Sequence, residues 1–252
     1  MSKIVSVAAL VLGAMLIVPA HAEIVDVQFS GNFSWGNGYQ TGVYAPQQSG
    51  AAIIGSSGDQ WNYFDTADGA SVLNNTSGAS SGVTLSFTAL EAYTLAGAQA
   101  QADPFSATPT ANLMQGYLDA KAPGEISFSF SGLAPNANYS LYVYSSSGGG
   151  TGRGVTLTAT GAPEQSNSNQ TTAGVYILDD NYLLFQGQAN AAGQIFVNEV
   201  GFSGEGDING LQLEVAGVPE PSTWAMFLVG FAGLGVARFR RASKAEGAAV
   251  VA

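Results

Sequence analysis

Strict alternation of apolar and small polar residues is the feature that most restricts this chain. In Glu125-Ile-Ser-Phe-Ser-Phe-Ser-Gly, residues Ile126, Phe128 and Phe130 point one way, and Ser127, Ser129 and Ser131 the other. Side chains alternate across a strand with a period of two, so such a segment buries one face of a sheet and wets the other. Val155-Thr-Leu-Thr-Ala-Thr and Leu211-Gln-Leu-Glu-Val repeat the pattern. Ile24 to Phe29, Val83 to Phe87, Tyr139 to Tyr144, Tyr182 to Phe185 and Gln194 to Phe202 read as further strands. The connectors are rich in Gly, Asn, Pro and Asp, which accept turn geometry. Roughly nine or ten short strands at this spacing predict an all-β fold, a single β-sandwich or jelly roll. The stretch Ala92 to Asp119 lacks the alternation and reads as a long loop with a short helix around Ala111 to Asp119.

The strands occupy only the middle of the chain. Lys3 followed by the apolar run Ile4 to Val18 and then Pro19-Ala20-His21-Ala22 has the parts of a secretory signal peptide. Ala20 and Ala22 supply the small residues at the cleavage box, which places the mature start at Glu23. At the other end come Val218-Pro219-Glu220-Pro221-Ser222-Thr223, the uncharged run Trp224 to Ala237, and Arg238-Phe-Arg-Arg. As a helix that run rises about 21 Å, short of a bilayer core of about 30 Å unless its flanks help. The predicted organisation is a signal peptide over 1–22, an exported β domain over 23–217, a sorting segment with a hydrophobic helix over 218–241, and a disordered tail over 242–252. Trp224 suits a membrane interface, and the arginines would stay on the cytoplasmic side. The body then lies outside the inner membrane, in agreement with the signal peptide.

Pro219-Glu220-Pro221, then Trp224, a Gly-rich apolar stretch and the basic cluster Arg238, Arg240 and Arg241 resemble the PEP-CTERM sorting signal of Gram-negative bacteria that make exopolysaccharide. The resemblance implies an exosortase-type membrane protease as partner, removal of the tail, and an inner-membrane anchor that is transient. It also implies a final place at the cell surface or in the extracellular matrix. The logic parallels other removable C-terminal anchors. The chain departs from the pattern by running on from Ala242 to Ala252. The body has a softer likeness to exported sandwiches of the galactose-binding-like type. It is carried by Gly55-Ser-Ser-Gly-Asp-Gln-Trp-Asn, Gly132-Leu-Ala-Pro-Asn-Ala-Asn-Tyr-Ser-Leu-Tyr-Val-Tyr-Ser, Gly152-Arg-Gly and Asn209-Gly-Leu-Gln-Leu. Domains of that type bind carbohydrate or serve as structural modules.

Composition narrows the chemistry. The net charge is −11, and between Glu23 and Gly217 the only bases are Lys121 and Arg153, so a nucleic-acid partner is disfavoured. There is no Cys, and the single His, His21, falls in the signal peptide. A mature body without either residue cannot build a Ser-His-Asp or Cys-His centre, nor a zinc site on imidazole or thiolate. Carboxylate chemistry remains. Asp59, Asp65, Glu125, Asp179, Glu199 and Asp207 are candidates for a glycosidase pair, but no spacing singles one out. No cofactor is indicated. Structural calcium would find oxygen ligands in the loops holding Asp179, Asp180, Asp207 and Asn209, whose alternative reading is turn chemistry. For glycan stacking, Trp35, Tyr39 and Tyr44 lie in a Gly/Gln/Asn-rich stretch. Trp61 reads as core, and Tyr142 and Tyr144 as the outer face of a strand. Arg153 reads as a salt-bridge partner or a ligand contact.

The expectation is a non-enzymatic secreted or surface protein associated with exopolysaccharide or the biofilm matrix. A carbohydrate-binding module with a defined site, and a glycoside hydrolase, are the alternatives.

Overall fold

The computed structural model describes residues 22–31, 33–35, 40–41, 44–146, 153–169, 174–202 and 204–216. The expected signal peptide up to His21, the sorting residues from Pro219 to Arg241, the hydrophobic helix, the tail and Tyr39 lie outside the described residues. No helix among the described residues is long and apolar enough to cross a membrane.

Residues 22–217 form one compact unit. In its first half the strands are β1 (Glu23–Phe29), β2 (Phe33–Trp35), β3 (Gln40–Thr41), β4 (Trp61–Phe64), β5 (Asp68–Asn74), β6 (Ser80–Thr88), β7 (Glu91–Leu95) and β8 (Gly116–Ala120). Then come β9 (Ser127–Ser131), β10 (Asn138–Tyr144), β11 (Val155–Ala159), β12 (Gln165–Ser166), β13 (Tyr182–Gln188), β14 (Ile195–Phe202), β15 (Gly206–Ile208) and β16 (Gly210–Val215). Two short helices, α1 (Gly97–Ala102) and α2 (Ala111–Gln115), precede β8. The fold is therefore all-β, as the alternation predicts.

The described strands assemble into three sheets. Sheet 1 has the order β13-β10-β16-β1-β4, sheet 2 the order β12-β11-β14-β9-β6-β5, and sheet 3 the order β15-β8-β7-β2-β3. Pairing is antiparallel except for β1 with β4 and β2 with β7. The number of strands exceeds the nine or ten that alternation singles out. The stretch 92–119 is also not one long loop. It holds most of β7 and β8, and the helix there ends at Gln115. Gly116-Tyr-Leu-Asp-Ala is buried on both faces, which erases the period of two.

One core joins the three sheets. Val27 and Phe29 of β1, with Leu141, Leu211 and Leu213, meet Leu85, Phe128, Phe130 and Val197 of sheet 2. Phe29 lies at the centre, its ring 5.6 Å from Phe128 and 5.1 Å from Phe87. Ala92, Leu118 and Ile208 bring the inner face of sheet 3 against the same core. Sheets 1 and 3 pass so closely that a Cβ on Gly116 of β8 would fall 2.2 Å from the Phe29 carbonyl oxygen of β1.

Sheet 1 is also covered on its other face. Residues 44–60 and 103–115 lie over it and enclose a second cluster of Trp61, Phe105, Leu113, Met114 and Tyr144. Amides fasten this cover. Gln28 donates to the carbonyls of Pro46 and Asn112, and accepts from the Gln48 N–H. Gln212 donates to Asp26 and to the Ile54 carbonyl, and accepts from the Tyr144 hydroxyl.

Candidate functional site

Both ends of the body leave it side by side. Glu23, the first residue of β1, is the register partner of Val215, the last residue of β16. Ala216 donates its N–H to the Asn138 carbonyl. An open groove of about 570 Å³ runs beside these ends, lined by Asn138, Ser140, Gln186, Gln188 and Glu214 together with Ala22 and Ala216.

The densest polar cluster lies on sheet 3. Register aligns Glu91 with Asp119, and Asp119 with Asp207, so three neighbouring strands present carboxylates in one row. Carboxylate oxygens of Asp119, Glu205 and Asp207 lie within 4.8 Å of one another. Asp119 and Asp207 are buried. Unbalanced, such a group would repel itself. The only two bases of the body are placed here. Arg153 contacts Glu205 at 2.9 Å and Asp207 at 3.6 Å. Lys121 contacts Glu91 at 2.9 Å and Asp119 at 3.5 Å. Burial, and then the charge of Glu205, push the Asp119 carboxyl above its ordinary range. The hydrogen bond from Tyr93, and then that from Lys121, hold Glu91 below it. Tyr93 and Tyr117 pack beside the row, ring centroids 5.7 Å apart. Two fixed cations among these acids, Asp119 and Asp207 buried, make an electrostatic clamp between β7, β8, β15 and Arg153, two residues before β11. Replacing Arg153 by Gln is expected to lower stability by about 1–3 kcal/mol near neutral pH, between the values for exposed and buried pairs. Denaturant melts of the two proteins near neutral pH check it.

The candidate calcium ligands are not gathered into one set. Asp207 joins the cluster just described. Asn209 is committed to the backbone: its side chain accepts from Ser146 and donates to the Met114 and Gly116 carbonyls. It thereby joins sheet 1 to sheet 3. Asp179 has φ 63°, and Asp180 accepts from the Ser168 hydroxyl. Beside them Asn181 bonds to Ile177 and Val175, so this loop shows turn chemistry.

The remaining carboxylates are dispersed. Asp59 caps its own loop, accepting from the N–H and hydroxyl of Ser56. Glu125 accepts from the N–H groups of Lys121 and Ala122, and the buried Glu199 from that of Gly124. Asp65 is exposed on the surface.

Of the aromatic candidates, Tyr44 is exposed and Trp35 lies on β2 with its backbone paired to Leu95. Trp61 is core, its indole N–H bonded to the Gly50 carbonyl. Tyr142 and Tyr144 do point away from the main core, but the second layer covers them, and Tyr144 is wholly buried. Sequence reasoning missed Asp119, and it marked Glu205 only as part of a calcium-type loop with Asp207 and Asn209. Their signal was the scarcity of bases: in an acidic body, the two that exist mark where charge must be neutralised.

Comparison with known proteins adds one finding: residues 217–241 match the PEP-CTERM protein-sorting motif. No curated protein and no solved structure matches the chain. The motif begins directly after the last described residue of the body. It indicates a protein sorted by an exosortase system, with export and processing at a membrane.

Proposed function

We propose that the protein is a non-enzymatic component of the cell surface or extracellular matrix, released from a transient inner-membrane anchor by an exosortase-type protease and associated with exopolysaccharide. The sorting motif over 217–241 carries this reading. The body supports it. Its two bases are occupied in an ion cluster, several of its other acids serve loops and turns, and the part beginning at Glu23 contains neither His nor Cys. In this reading residues 1–22 are the removed signal peptide, 23–217 the delivered domain, and 242–252 a tail lost with the anchor.

Intact mass and cell fractionation in the producing bacterium test it. The expected product starts at Glu23, ends near Pro219 to Pro221, and is found on the surface or in the medium. A product that keeps Arg238 to Ala252 and stays in the inner membrane overturns it.

A further inference from the structure

The outward face of sheet 2 is an array rich in hydroxyls. Thr84, Ser86 and Thr88 of β6 stand opposite Ser131, Ser129 and Ser127 of β9. On the other side of β9, Phe196 lies beside Ser129 and Asn198 beside Ser127, and Thr158 of β11 continues the Asn198 row. Strands repeat about every 4.8 Å and same-face residues about every 7 Å, so the hydroxyls form a regular grid. Apolar side chains stand within it. Phe196 is 42 % exposed, Val200 45 % and Val72 56 %. Among the described outward positions of these strands, the only ionisable side chain is Asp68, on the edge strand β5.

That chemistry selects an occupant. With no base on the face and a net charge of −11, an anionic polymer is repelled. Protein interfaces are depleted in Ser and anchored by Tyr, Trp and Arg, which this face lacks. An extended neutral sugar polymer offers hydroxyls that both donate and accept, and C–H faces that lie on an aromatic ring. We infer that the outward face of sheet 2, centred on Phe196, is a docking surface for an extended neutral polysaccharide. The inference rests on the reading that the protein works among exopolysaccharide, and it identifies the surface and class of glycan involved.

The test uses the full chain as the producing cell processes it, run on native gels cast with dextran, a β-glucan or a galactomannan, and with alginate as the anionic comparison. Retardation is expected in at least one neutral gel. Phe196→Ser should weaken it about tenfold, and Ser129→Lys should abolish it, both with the parent's melting temperature. Tyr44→Ala, on another surface, should leave it unchanged. The inference is overturned by absence of retardation in all neutral gels, by retardation in alginate alone, or by retardation that survives both sheet 2 substitutions. Loss in Tyr44→Ala, or a dimer that Phe196→Ser converts to monomer, also overturns it. Failure of the sorting reading would show separately, in mass and fractionation.

Discussion

A chain ending at Asn209 is expected to show no cooperative unfolding transition, whereas one ending at Ala216 should melt like the full-length body. The difference is β16 alone. It lies between β10 and β1, with continuous register to both, from Glu23↔Val215 to Gln28↔Gly210 on one side and from Tyr139↔Val215 to Tyr144↔Gly210 on the other. Its removal splits sheet 1 in two. Leu211 and Leu213 leave the main core, where both are wholly buried, and each such side chain contributes about 1.5–3 kcal/mol. Gln212 leaves Asp26, Tyr144 and Ile54 without their common partner. Together with the ladder bonds, these losses reach the whole stability of a typical domain, about 5–15 kcal/mol. Thermal melts and limited proteolysis of the two truncations decide the point, and a cooperative melt in the shorter chain would refute it. The consequence bears on export. The strand that completes the sheet is the last one to cross the membrane, and Pro219 follows its end after Ala216, Gly217 and Val218. Fully extended, that connection spans about 14 Å. On the function proposed above, a sorting protease acting near Pro219 to Pro221 would leave β16, and with it sheet 1, complete.

Alternation is legible where a strand has one dry face and one wet face. β6, β9, β11 and β14 were readable on that ground, and β10 and β16 because the covered face of sheet 1 still carries polar residues such as Ser140 and Gln212. Where a strand is dry on both faces the signal disappears. Gly116 to Ala120 is buried throughout, and no alternation marks it. The short strands β2, β3, β12 and β15 fall below the length at which a period can be read. The sites divide in the same way. The sorting motif is a linear string of residues in fixed order, so sequence carries it completely. The charge cluster is assembled from β7, β8, β15 and Arg153, and only strand register brings Asp119 beside Asp207. The hydroxyl face was half legible. The outward serines of β9 were evident, but their alignment with the threonines of β6 and with Phe196 depends on strand order.

Stability should fall, not rise, as the pH is raised from about 5 to about 8, and Asp26→Asn should remove much of that fall. Asp26 points from β1 into the layer beneath residues 44–60. One carboxylate oxygen accepts from Gln212 Nε2 at 2.9 Å, and the other has no hydrogen-bond partner among the described residues. Burial raises its pKa to about 7, with the Asp59 charge acting in the same sense and the Gln212 bond against it. Burial likewise lifts Asp103 to about 6, against the hydrogen bond from the Phe105 N–H. A carboxyl with a raised pKa holds its proton more tightly when folded. Its contribution is therefore fully present below the unfolded value, about 4, and is lost as pH rises through the folded value. For Asp26 that loss is about 4 kcal/mol at full extent, a large share of a domain's stability. An amide in its place keeps the acceptor for Gln212 and carries no charge to desolvate. Asp26→Asn should thus gain about 2–4 kcal/mol at pH 8 and differ from the parent by less than about 1 kcal/mol at pH 4 to 5. Below that range the trend should reverse, because protonating Glu91, whose carboxyl the bonds from Tyr93 and Lys121 hold below its ordinary range, removes its attraction for Lys121. Urea midpoints of both proteins across the pH range measure the effect. A parent that gains stability between pH 5 and 8, or two curves that run parallel, would show that Asp26 ionises freely and that water reaches it under the cover.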